Sequence, residues 1–114
     1  MNKQRVAKAA RAVLAEHYTA SRLTAGGYML RNKEAVHRDG FKVRVLPGGV
    51  VVWWSTVYLI PFRMLGKAER DSAYDIVADY AERLRGAGFV CSVYHAGDGP
   101  LPFPCIFITE EPSR

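Results

Sequence analysis

The chain has 114 residues, 49% of them hydrophobic, and a formal net charge of +5. That length suits one domain and excludes two ordinary ones, and that apolar content is enough for a core and excludes disorder as the overall state. The positive charge is lopsided. Eight Lys or Arg against Glu16 and Glu34 fall before Asp39, while from Asp39 onward nine acidic residues outnumber eight basic ones; such asymmetry marks either an anion-binding face or a solvated helix face, the latter being the commoner.

Taken in chain order, the first predicted element is a helix from about Lys3 to Ser21. It is rich in alanine, and Val6, Ala10, Val13, Leu14, His17 and Tyr18 recur at helical spacing to make one apolar stripe. Arg5, Lys8 and Arg11 fall off that stripe, which gives the helix a basic outer face. Gly26 and Gly27 lie outside it. The stretch from Tyr28 to His37 reads either as a strand or as a short helix capped by Asn32. Asp39-Gly40 carries a hairpin signal. Phe41, Val43 and Val45 then alternate with Lys42 and Arg44, the period of a half-buried strand.

Pro47-Gly48-Gly49 is a turn, and Val50 to Ile60, β-branched and aromatic almost throughout, reads as a central strand ended by Pro61. With Gly48-Gly49 as a two-residue turn, Arg44 faces Trp53 and Lys42 faces Ser55. This is a basic and aromatic arrangement suited to holding phosphates and stacking bases. Trp53 and Trp54, being consecutive, point to opposite faces of the sheet.

A second helix is predicted from Lys67 to Arg85, with Ala73, Ile76, Val77, Tyr80, Ala81 and Leu84 as its apolar stripe. Asp71, Asp75, Asp79 and Glu82 make one flank acidic, with local pairing such as Asp79 to Arg83 expected. Gly86 and Gly88 supply its stop. Phe89–His95 and Pro104–Thr109 are two further strands around the Gly97-Asp98-Gly99-Pro100 turn. Short connections within each strand group imply hairpins. The expected fold is therefore α+β: a two-layer sandwich of order α-β-β(-β)-α-β-β, with an antiparallel sheet of four to five strands and both helices on one face. It is one domain over residues 1–109 with a short tail over 110–114.

No constellation for catalysis stands out, and no metal or cofactor site is expected. Cys91 and Cys105 have no zinc-type spacing and read as small buried apolar residues on neighbouring strands, close enough in some registers for a disulfide. Cys91 and His95 on one strand are about 13 Å apart, too far for a thiolate–imidazolium pair. His17 belongs to an apolar stripe, His37 to an exposed turn, and His95 beside Asp98 lacks a nucleophile. The glycine pairs are not followed by a helix and so do not form a phosphate cradle. No segment is long and apolar enough to span a bilayer as a helix, and no secretory leader is expected.

Arginine outnumbers lysine eleven to five. The run Tyr80-Ala-Glu-Arg-Leu-Arg-Gly-Ala-Gly-Phe89, followed by a hairpin ending Cys105-Ile-Phe-Ile-Thr109, resembles small uncharacterised accessory proteins of actinobacteria and their phages. The likeness covers about thirty residues of a generic helix–glycine–strand pattern. It implies a small cytoplasmic binding protein, and it carries no catalytic residues.

The expected function is that of a small non-enzymatic binding protein with another protein as partner. Self-association of the basic helix with the acidic flank of a second copy is one form of it. The alternative is a nucleic-acid-binding module that uses Lys3, Arg5, Lys8 and Arg11 of the first helix together with Lys42, Arg44 and Trp53 of the hairpin. No membrane partner is expected, and the chain is expected in the cytoplasm.

Overall fold

The computed structural model describes residues 2–20, 40–55 and 62–110. The first helix, α1, spans Lys3–Ala15. Asn2 caps it, its side-chain oxygen accepting from the Arg5 backbone N–H at 3.1 Å, which satisfies one of the donors a helix start leaves open. The helix stops six residues short of the expected Ser21. The backbone N–H groups of Glu16, His17 and Tyr18 close the last turn on Val13 and Leu14. Tyr18 then sets its ring edge-on to Tyr80, with centroids 4.8 Å apart. Thr19 and Ala20 run extended beside Phe41. His17 therefore lies past the helix end and is exposed, not on an apolar stripe; its Nε2 is 3.2 Å from the Arg83 guanidinium.

Among the described residues four strands form one antiparallel sheet: β1 (Gly40–Leu46), β2 (Gly49–Ser55), β3 (Val90–Tyr94) and β4 (Cys105–Glu110). Their order is β1-β2-β4-β3. Glu110, expected in the tail, is the last residue of β4. The stretch read as strand or short helix (28–37), the Asp39 half of the hairpin signal, the second half of the long central strand (56–60) and residues 111–114 lie outside the described residues.

The second helix, α2, spans Lys67–Gly86 after a short 3-10 turn at Phe62–Met64. Its end follows from chain chemistry. Gly88 takes φ +97°, Phe89 N–H bonds to Leu84 C=O, and Gly88 N–H bonds to Arg85 C=O. That is the paired closure in which a left-handed residue satisfies the last carbonyls, here with Phe89 and Leu84 both buried beside it. Of the two glycines read as the stop, Gly88 performs it, and Gly86 is still helical.

Both helices pack on the same face of the sheet. Val6, Ala7, Ala10 and Leu14 of α1 and Val77, Tyr80, Ala81 and Leu84 of α2 close over Phe41, Val50, Val52, Ile106 and Ile108. This is the expected α+β two-layer sandwich with four described strands. Burying a side chain such as Leu14 or Ile108, each fully inaccessible, contributes about 1.5–3 kcal/mol. Among the described residues no helix is long and apolar enough to cross a membrane.

Candidate functional site

The strand pleat sends alternate residues to opposite faces. Val43, Val45, Val50, Val52 and Trp54 join the helix-side core. Lys42, Arg44, Val51 and Trp53 therefore belong to the other face, which neither helix covers. The β1–β2 turn is Pro47-Gly48, with Leu46 opposite Gly49, so the expected register is off by two residues. Lys42, not Arg44, pairs with Trp53, and Arg44 pairs with Val51. An even shift preserves the faces, so the basic and aromatic residues remain on one side. The reason lies at Gly49. A Cβ there would sit 2.5 Å from the Ile108 carbonyl and 3.1 Å from the Phe107 ring, so the residue is glycine because β4 crowds it, leaving Pro47-Gly48 to turn the chain.

Phe107 belongs to this open face as well, between the inward-facing Ile106 and Ile108, opposite Val51 on β2 and Ser92 on β3. The loop that joins β3 to β4 folds back across one end of the face. Phe103 packs on Trp53 with ring centroids 5.9 Å apart, and Gly99 lies so close to Tyr94 that a Cβ would clash at 2.7 Å. Beneath this layer Val51 and Cys105 are fully buried, while Trp53, Phe103, Phe107 and Tyr94 stay half-buried and Arg44 is exposed. Burial pushes the Cys105 thiol pKa up, with the Leu101 backbone pulling weakly the other way. None of the described residues that alternate onto this face is a carboxylate.

The remaining cations of the expected set are divided. Lys3 donates to the Pro47 carbonyl at the hairpin tip, and Arg11 donates to the Val43 carbonyl at 3.0 Å along the outer edge of β1. These two wrap the sheet edge that leads to Lys42 and Arg44. Arg5 and Lys8 are exposed on α1, on the other side of the sheet from Trp53. The seven residues thus form an open-face group (Lys42, Arg44, Trp53), an edge pair (Lys3, Arg11) and a helix group (Arg5, Lys8).

Cys91 and Cys105 are both free thiols. They lie on neighbouring strands but on opposite faces, Cys91 opposite Ile108 and Cys105 opposite Tyr94, so no disulfide joins them. The expected Asp79–Arg83 pair is not formed; Arg83 lies against His17, and the ion pair on α2 is Lys67–Asp71 at 2.9 Å. His95 and Asp98 are linked through backbone only, Asp98 N–H to His95 C=O. Among the described residues no cluster of His, Cys, Asp and Glu could hold a metal ion.

A second concavity escaped the sequence reading. Tyr74 on α2 lies between Phe62 and His95, with ring centroids 5.8 and 5.0 Å away, and its hydroxyl accepts from Ala96 N–H. Arg63, Lys67 and Arg70 rim this open depression. Its parts come from three separate segments, so no local spacing announces it. Lys67 is paired with Asp71, and Arg70 donates to the Leu65 and Arg63 carbonyls, which leaves its rim largely self-satisfied. Compared with models of known protein families, with curated proteins and with solved structures, the chain matches none.

Proposed function

We propose that this chain is a small non-enzymatic binding module whose open sheet face takes single-stranded nucleic acid. The observation that supports the reading is the composition of that face: Trp53, Phe103 and Phe107 half-buried, Lys42 and Arg44 beside them, and no carboxylate among the described strand residues that alternate onto it. Aromatic rings on an open sheet stack bases, and flanking cations neutralise phosphates. A flat face offers no projecting element for a major groove, so duplex is the poorer ligand. Both thiols are free, which suits the cytoplasm as its place of action. A module of this size also fits the resemblance to actinobacterial and phage accessory proteins.

The test is fluorescence anisotropy with labelled single-stranded DNA and RNA and with duplex, across a salt series. Trp53→Ala is expected to weaken single-strand binding by about 1–3 kcal/mol. Lys42→Ala is expected to reduce the slope of log affinity against log salt by about 0.7, the value for one phosphate contact on a single strand. Binding that is indifferent to salt and to Trp53 would sink the reading.

One observation favours a protein partner instead. Edge strand β3 leaves Val90 50% and Val93 37% exposed, and an uncharged edge strand invites pairing with another chain. Val93→Lys is then expected to abolish capture of a protein partner while leaving nucleic-acid affinity unchanged.

A further inference from the structure

We propose that the outer surface of the helical layer binds a second copy of this chain, with α1 of each copy lying on α2 of the other. This goes beyond the reading of the sheet face, since the two surfaces lie on opposite sides of the molecule. α1 carries Lys3, Arg5, Lys8 and Arg11 and no acidic residue. Lys3 and Arg11 are bonded to backbone carbonyls of the β1–β2 hairpin, so their positive charge stands uncancelled beside this surface and not on it. Lys8 is exposed on the side opposite Val6, Ala7, Ala10 and Leu14.

α2 has the opposite sign on its outer side. Asp71, Asp75, Asp79 and Glu82 are exposed and recur at three- and four-residue spacing, away from the buried stripe. Of its cations only Lys67 is neutralised, by Asp71; Arg70, Arg83 and Arg85, held by two carbonyls, by His17 and by the Cys91 carbonyl, keep their charge but fall by helical spacing outside the Asp71, Asp75, Asp79 and Glu82 stripe. Asp75, Asp79 and Glu82 have no ion-pair partner among the described residues.

Both helices pack on one sheet face and touch each other, so the layer presents one surface with a basic half and an acidic half. A two-fold axis in the contact plane, running along and between the helices, sets each basic half on an acidic one, and both contacts form at once. An axis across the helices would set like on like, so charge selects one arrangement. A foreign partner would need both signs in the same order, which a second copy supplies by symmetry. Ala12 and Ala15 on α1 and Ala68 and Ala78 on α2 are exposed and small enough for close approach. Exposed pairs are screened by salt, so the association is salt-sensitive.

The test is sedimentation equilibrium of the full chain at about 50 mM and about 500 mM salt, where the screening length differs severalfold. The mass is expected to rise from the 12.7 kDa of one chain toward twice that at low salt, and to return to it at high salt. Gln4→Glu with Lys8→Glu, and separately Asp75→Lys with Asp79→Lys, reverse one half each at exposed positions. Each double variant is expected to weaken self-association at least about tenfold, with helical circular dichroism unchanged. An equimolar mixture of the two is expected to dimerise again, because the reversed α1 then meets the reversed α2 and the untouched halves meet each other. The neutral Lys8→Gln is expected to shift the same way by a smaller factor. A monomer at low salt, a dimer indifferent to either reversal, or a mixture that stays monomeric would each overturn the proposal.

Discussion

Tyr80 concentrates several properties of the core in one side chain. It is 2% exposed, meets Tyr18 and Phe41 edge-on, and has its phenol pKa pushed up to about 12, first by burial and then by Tyr18. A folded pKa above the unfolded value of about 10 means that the folded state holds the proton more tightly. The stabilisation is therefore complete below pH 10 and lost as pH rises from about 10 to about 12, at most about 3 kcal/mol for a shift of this size. Urea midpoints of the wild type are expected to fall across that window, and those of Tyr80→Phe to fall less. Equal slopes would show that the phenol is not held in its neutral form. The residue was legible as core from its place on the α2 stripe. Its partner Tyr18 was likewise read onto an apolar stripe and does pack on the core, but from beyond the end of α1, where helical spacing had not placed it.

At the scale of the element, helix ends and strand registers follow from single residues. Gly88 sits at φ +97°, where a side chain meets the following carbonyl at a cost of about 1–2 kcal/mol. Gly88→Ala is expected to lower stability by about that amount in chemical denaturation, whereas Gly86→Ala, inside the helix with nothing within 4 Å of the added methyl, is expected to raise it. The reversed order of effects would refute the assignment of Gly88 as the stop. Helix periods and the strand alternation of β1 were readable because side chains report their burial every 3.6 or 2 residues. The hairpin register was not. Three consecutive turn formers permit more than one pairing, and the choice was made by Phe107 and Ile108 of β4 pressing on Gly49, fifty-eight and fifty-nine residues further along.

For the whole molecule, the sheet acts as a partition. Cys91 faces the helices and Cys105 the open side, where the returning loop seals it. Burial pushes both thiol pKa values up, offset in part at Cys91 by the Arg85 guanidinium. Mild oxidation of the native protein is expected to leave both as thiols. Alkylation of Cys105 is expected to follow global unfolding, slow without urea and fast with it, as read by mass spectrometry of the digested chain. A Cys91–Cys105 crosslink formed under native conditions would contradict the strand register. The same partition explains why seven residues grouped by charge and aromaticity divide three ways in space: a linear count of cations carries no information about which side of a sheet each one occupies.

The sequence by itself determined the class of the fold, the two helices with their opposite charge, the four strands that are described, and the alternation that places Lys42, Arg44 and Trp53 on one face. Each of these depends on neighbours within a few residues, where backbone geometry and side-chain period act directly. Only the tertiary structure decided the strand order, the register at Gly49, the early end of α1 at Ala15, the covering of Cys105 by the β3–β4 loop and the separation of Arg5 and Lys8 from the open face. Those depend on contacts between segments tens of residues apart, and such contacts are set by how buried surfaces fit together, which no local pattern encodes.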